Sequence, residues 1–227
     1  MAINKIIAVI PAKNEADSVG SIVNRVSKYV SQVTVIDGNS TDNTFTNAKR
    51  AGAQVITQRE SGKGSALRQA FMDVRGDLVV IMDADGSMRP REIPRFMKIF
   101  EDNPEIDIVK GSRFLGDGYS EDISILRRIG NMIFVLLVNL FWSTKYTDLC
   151  YGFGAFKASA MEKLVPLLES KNFEIETEIA IKAKRLGLKV LEVPSVELRR
   201  EHGKSNLNTI RDGTQILLRI LKELIFR

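Results

Sequence analysis

Short runs rich in valine and isoleucine alternate with segments of helical period through the first half of this chain. Few folds accept that alternation. Residues 6–10, 33–36, 54–57, 78–82 and 106–109 read as largely buried strands. Between the first two, Val19, Ile22, Val23, Val26, Tyr29 and Val30 recur at helical spacing. Residues 45–51, 65–74 and 90–100 are the next expected helices, with Pro90 in a first turn. Such alternation predicts an α/β fold with a mostly parallel central sheet flanked by helices. In such sheets, ligands bind at the carboxyl ends of the strands.

That rule sorts the polar clusters. The first strand runs into "PAKNE" (11–15), the second into "DGNSTDNT" (37–44) and the fourth into "DADGS" (83–87). All three are expected on one sheet edge. With 227 residues, 44% hydrophobic and 27% charged, the chain has enough apolar content for one core, so a single domain spanning 1–227 is expected. The single cysteine, Cys150, excludes an intramolecular disulfide framework. A net charge of +5 suits an anionic partner. The basic residues are spread out and form no recognisable nucleic-acid module. No secretory signal is expected in the first residues.

The second half changes character. Residues 127–142 form a long apolar helix candidate, and its most apolar part, 132–142, falls short of the roughly 20 residues a spanning helix needs. Residues 145–156 read as a loop rich in aromatics and glycine. The tail from Thr209 carries Ile216, Leu217, Ile220, Leu221, Leu224 and Ile225 at helical spacing, with basic residues between. Amphipathic helices with basic flanks suit a membrane interface, and equally suit packing on the core or a dimer seam.

Several clusters have the composition for phosphate chemistry. Asp83 and Asp85 at a strand end can approach one cation, with Gly86 permitting a close backbone approach. Alone, such a pair is more often a turn. Asp37 is the aspartate of its cluster least explained by capping. Lys63, between two glycines, lies before a helix, but the full P-loop pattern is absent, which disfavours ATPase chemistry. It is read as either a phosphate contact or a solvated lysine. Arg199, Arg200, His202 and Lys204 surround Gly203 in a basic loop that can close over a pyrophosphate. His202 is read as a bystander. Glu174, Glu176 and Glu178 suit a helix N-terminus, and Glu176 or Asp148 also suits a general base.

In order along the chain, "IPAKNEADSV", "VIDGNSTDNT", "GKGSALRQAF", "DADGS", "KGSRF", "DLCYGFGAF", "FEIETEI" and "RREHGKSNLN" together resemble the family 2 glycosyltransferases of GT-A fold. Within that family the chain is most similar to the dolichyl- or polyprenyl-phosphate sugar transferases. The resemblance implies an inverting transferase that uses a nucleotide diphosphate sugar, linked to UDP or GDP, with Mg²⁺ or Mn²⁺ held at Asp83 and Asp85. It implies nucleotide contacts at Pro11, Glu15, Asp37, Asp83 and Ala84, and a phosphate-closing role for Arg200 and Lys204. Arg113 resembles an arginine that contacts an acceptor phosphate. A polyprenyl phosphate acceptor needs no general base, whereas a sugar hydroxyl requires one. Residues 1–115 are then the nucleotide-sugar half and 116–227 the acceptor half, with a helical C-terminal elaboration. The protein is expected at the cytoplasmic face of a membrane, peripherally bound, with an oligomer possible. Two departures bear on the sugar. Gly86-Ser87 stands where mannosyl relatives commonly carry Leu-Gln, and Asn206 stands where their basic loop ends in lysine. A nucleotide-binding module without transfer activity is the alternative of another class. A nucleotidyltransferase ranks below it, because "PAKNEADS" has no glycine-rich loop.

Overall fold

The structure, a computed structural model, describes residues 3–203 and 205–225. Strands and helices alternate through the first half: β1 (Ile6–Ala12), α1 (Val19–Val26), β2 (Gln32–Asp37), α2 (Thr44–Arg50), β3 (Gln54–Thr57), α3 (Lys63–Asp73), β4 (Leu78–Ile81), α4 (Ile93–Asp102) and β5 (Ile108–Ser112). Then follow β6 (Tyr119–Ser120), α5 (Ile125–Trp142), β7 (Gly154–Lys157), α6 (Ala158–Leu164), α7 (Ile175–Arg185), β8 (Val190–Pro194), β9 (Val196–Glu197) and α8 (Thr209–Ile225). Pro90 opens a 3₁₀ turn ahead of α4 rather than the helix itself.

The central sheet has seven strands in the order β3-β2-β1-β4-β7-β5-β8. Only β7 runs against its neighbours. Successive side chains on a strand face opposite ways, so each buried strand feeds two cores. Ala8 and Ile10 of β1 pack with Val19, Ile22, Val23 and Val26 of α1 and with Phe96 and Phe100 of α4. Ile7 and Val9 pack on the other face with Leu67, Ala70 and Phe71 of α3 and with Ile175 and Ile179 of α7. Helices therefore cover both faces, as the alternation predicts. A third cluster joins Phe134, Val138 and Trp142 of α5 to Ala180 and Ile181 of α7 and to Ile216 and Ile220 of α8.

Two expectations are corrected. Residues 154–156, read as loop, belong to β7, which pairs through Ala155 with Val80 of β4 and Val109 of β5. Its sequence, Gly-Ala-Phe-Lys, has no β-branched residue, so pairing on both sides makes the strand, not propensity. Because β7 is antiparallel, the chain ahead of it, 148–152, enters at the edge where β1, β2 and β4 end. Helix α5 also begins two residues earlier than expected and forms one 18-residue element. It is about 27 Å long at 1.5 Å per residue. By length and composition it qualifies as a candidate membrane span, with a mean hydropathy of 1.5. Arg127 and Arg128 sit at one end and leave the rest uncharged.

Candidate active site

The polar clusters do meet on one edge. The first and fourth strand-end clusters, with the basic loop, line a cavity of about 750 Å³ whose wall includes Pro11, Glu15, Lys63, Asp83, Ala84, Asp85, Arg113, Glu176 and Arg200. Two site residues expected from sequence are not in that wall. Asp37 is buried at the end of β2, where its Oδ2 accepts from the Ser40 amide at 3.3 Å and its Oδ1 has no partner. Asp148 is fully buried behind Arg113. Lys204 lies outside the described residues.

Lys63 is neither a solvated lysine nor a free phosphate ligand. Its Nζ stands 2.8 Å from Asp83 Oδ1 and 2.9 Å from Glu176 Oε1, with only 13% of the side chain exposed. The two carboxylates outweigh the cost of burial and hold its pKa above the ordinary lysine value. The flanking glycines explain how it gets there. Gly62 has φ +105°, and a Cβ on it would strike the Lys171 carbonyl; one on Gly64 would strike that of Ser170. The turn is thus pressed against backbone 170–171, and the Ser65 amide donates to Lys171 O at 3.1 Å. That contact takes one of the free amides at the start of α3, while Gly62 and Lys63 still line the cavity. Gly152 completes the arrangement: a Cβ there would lie 2.9 Å from Lys63 Nζ and 3.0 Å from Glu176 Oε1.

Arg200 spans the other carboxylates, with Nη1 2.7 Å from Glu15 Oε1 and Nη2 3.1 Å from Asp85 Oδ2. Its loop is fastened to the aspartate turn itself. The Glu201 amide donates to Asp85 O at 2.9 Å and the Leu198 amide to Ser87 O at 2.8 Å. Gly86 has φ +82°, and the Glu201 side chain fills the space beside it, so this glycine admits a protein side chain, not the ligand expected from sequence. Burial raises the Glu15 pKa; the pairing with Arg200 only partly offsets it.

These contacts also test the cation site. Four carboxylates, those of Glu15, Asp83, Asp85 and Glu176, share two cations, Lys63 and Arg200. Two negative charges are left over, which suits a divalent ion. Among the described residues, no three His, Cys, Asp or Glu side chains gather closely enough to hold one alone. An ion at Asp83 and Asp85 would need further oxygen ligands from a diphosphate or water, the usual arrangement for Mg²⁺.

At the other end, Arg113 is committed. Its Nε and Nη2 form a fork on Asp148 at 2.8 and 3.0 Å, and Nη1 lies 3.1 Å from Glu197 Oε2. The Tyr151 ring lies 4.9 Å from the guanidinium carbon. The phosphate contact that the resemblance implies for Arg113 thus competes with two carboxylates already in place. Asp148 accepts further from the Arg113 and Cys150 amides, and Arg113 and Lys110 hold its pKa down against the opposing effect of burial. A buried carboxylate so held is a poor base, and the general-base reading of Asp148 is corrected to that of a partner fixing Arg113. Glu176 keeps the other reading: it lines the cavity, and its Oε2 has no partner. Its neighbours serve local structure, Glu174 accepting from the Lys171 and Asn172 amides and Glu178 from those of Glu169 and Ser170. His202 is exposed.

Sequence reasoning passed over Arg127. It lines the cavity, and its contacts are neutral: Thr209 Oγ1 at 3.3 Å and Leu207 O at 3.4 Å. The arginine pair at the head of an otherwise uncharged helix was the signal. Beyond it the wall turns apolar, with Leu126, Ile129, Ile133, Ile210 and Leu217 from α5 and α8. The outer surface continues this: Leu136 is 66% exposed, Leu140 68% and Leu218 59%.

Known proteins match the chain over most of its sequence and share its fold. The family model for glycosyl transferase family 2 matches residues 7–165. Over 215 residues the chain is 32% identical to "Glycosyltransferase AglJ" of Haloferax volcanii, covering 93% of this chain and 69% of the relative. It is 26% identical over 216 residues to an undecaprenyl-phosphate mannosyltransferase of Micrococcus luteus, covering 90% and 88%. Among solved structures, glucosyl-3-phosphoglycerate synthase from Mycobacterium tuberculosis, in complex with Mn²⁺, UDP and phosphoglyceric acid, superposes with a TM-score of 0.78 at 21% identity over 97% of this chain and 78% of that one. That likeness is one of fold, the GT-A arrangement of a mostly parallel sheet between helices.

Proposed function

The chain belongs to glycosyl transferase family 2, and from that premise we propose that it moves a sugar, with inversion, from a nucleotide diphosphate sugar to a polyprenyl phosphate at a membrane surface. One observation carries this reading. One cavity is lined by the paired carboxylates and cations of the sheet edge, by Arg127, and by apolar side chains of α5 and α8. An anionic head on a long apolar chain has the matching distribution of charge and hydrocarbon. The name of the Micrococcus relative points to the same acceptor class.

The carboxylate end takes the donor. Residues 1–115 supply most of it and 116–227 most of the acceptor side, with Arg200 reaching back across. Asp83 and Asp85 are the residues to hold Mg²⁺ or Mn²⁺, which when bound offsets negative charge on the departing diphosphate. Arg200 adds a forked cation there once it releases Glu15 or Asp85. Asp37, with a buried unpaired oxygen, suits a donor N–H from the base. Arg127 orients the acceptor phosphate. That phosphate is already anionic, so attack on the sugar carbon opposite the leaving group requires no proton acceptor. The exposed apolar faces of α5 and α8 rest on the bilayer surface.

The test is transfer from labelled UDP- and GDP-sugars, with Mg²⁺ or Mn²⁺, to a polyprenyl phosphate or to soluble glycans. Labelled lipid is expected; a labelled glycan with no labelled lipid overturns the reading. Glu176 favours one second reading, a hydroxyl acceptor, because the residue lines the cavity and its Oε2 is unpaired. Glu176→Gln separates the two. With a lipid phosphate the loss in kcat stays within about tenfold, whereas loss of a general base costs on the order of 10²–10⁴.

A further inference from the structure

Helices α5 and α8 each carry a glycine within their length, Gly130 and Gly213. Glycine is disfavoured inside a helix, so a reason is needed. Backbone geometry gives none, since neither residue has positive φ. Crowding gives none either. A Cβ on Gly130 would come no nearer than 3.9 Å to its closest neighbour, Phe134 Cε2, and one on Gly213 no nearer than 4.0 Å to Phe134 Cζ. Both are ordinary contacts, both are with the same ring, and both glycines line the cavity. The two helices therefore leave open, on either side of one phenylalanine, a space that the protein does not fill.

A separate observation points to a ligand at this level. Asn131 is 1% exposed and also lines the cavity. Its Oδ1 accepts from the Leu149 and Cys150 amides at 3.0 and 3.2 Å, which fixes the orientation of the amide. Its Nδ2 is buried without any partner. A buried donor left unpaired is costly, and a ligand oxygen would relieve it.

We infer that Gly130 and Gly213 form the portal through which the acceptor's apolar chain leaves the site between α5 and α8, and that they set which chains are accepted. The inference rests on the polyprenyl phosphate reading above. The head stays inside, with Asn131 Nδ2 donating to one of its oxygens. The chain runs out past Phe134 between walls already apolar, continuous with the exposed faces of both helices.

Gly130→Leu and Gly213→Leu test this. Leucine is a better helix former, its Cβ meets only ordinary contacts at both places and both positions border the cavity, so the variants are expected to melt no lower than the wild type. Transfer is measured to a two-unit isoprenyl phosphate and to an eleven-unit polyprenyl phosphate. Filling the portal is expected to lower the long-to-short ratio of kcat/KM by at least about tenfold in each variant. Asn131→Asp keeps the oxygen for the 149–150 amides but replaces the donor with a negative charge. It is expected to raise KM for both acceptors alike. Leucine variants with an unchanged ratio overturn the portal alone. A wild type that glycosylates neither lipid but does label a soluble acceptor overturns the underlying reading and the portal with it.

Discussion

Burial and partners decide what each carboxylate in this protein can do. Asp148 and Glu176 both offer a carboxylate, yet one is sealed under Arg113 while the other belongs to the cavity wall and keeps one oxygen unpaired. Asp148→Asn leaves a buried guanidinium short of a counter-charge and is expected to cost about 3–5 kcal/mol at pH 7. The pH dependence has a definite sign. Arg113 keeps the Asp148 pKa below its ordinary value. Its contribution is therefore fully present above the unfolded-state pKa of about 4, and is lost as pH falls through the lower folded value. Urea melts of wild type and variant should differ most near neutrality and converge in acid. A gap of the same size at both ends of the range would refute the assignment. Cys150, beside this pair, has its thiol pushed up to about 12 by burial, which makes it an unreactive wall residue.

At the scale of elements, the glycine-lysine-glycine turn at the start of α3 had two readings in the sequence, and the structure adds the ion pairs of Lys63 with Asp83 and Glu176. Its residues were legible as a turn before a helix. What pressed on them was not, because Lys171 is more than a hundred positions away. Gly62→Ala combines a positive φ with a collision against backbone that cannot step aside. The expected cost is about 3 kcal/mol, or a fall of roughly 6–12 °C in Tm, measured by calorimetry. A melting temperature unchanged within error would show that 170–171 yields more easily than the geometry implies. The same remoteness hid β7. Four residues with weak strand propensity become a central strand because β4 and β5 present open edges on both sides.

Across the whole molecule, the surface divides into a hydrophilic body and one apolar side built from α5 and α8. Helix α5 is only 22% buried, and its inward stripe of Asn131, Phe134, Val138 and Trp142 accounts for what is covered. In α8 the acidic residues Asp212 and Glu223 are buried and ion-paired. What remains outside is apolar, with arginine and lysine interspersed. Replacing Leu136, Leu140 and Leu221 together by glutamate is expected to reduce cosedimentation with vesicles of mixed neutral and anionic phospholipid by at least about tenfold, since each buried leucine contributes roughly 1.5–3 kcal/mol. All three are exposed, so Tm should move by only about 2 °C. Undiminished vesicle binding would place the contact elsewhere.

The sequence by itself determined the parallel strand-helix order, the sheet edge on which the polar clusters gather and the triplet of Asp83, Ala84 and Asp85 at its centre. These follow from local pattern: hydrophobic period sets element type, and strand direction then sets which ends meet. The tertiary structure decided the pairings. Lys63 with Asp83 and Glu176, Arg200 with Glu15 and Asp85, and Arg113 with Asp148 all join residues far apart in the chain. No local pattern encodes a contact whose two halves are brought together only when the sheet closes and α7 and the 197–201 segment fold onto its edge.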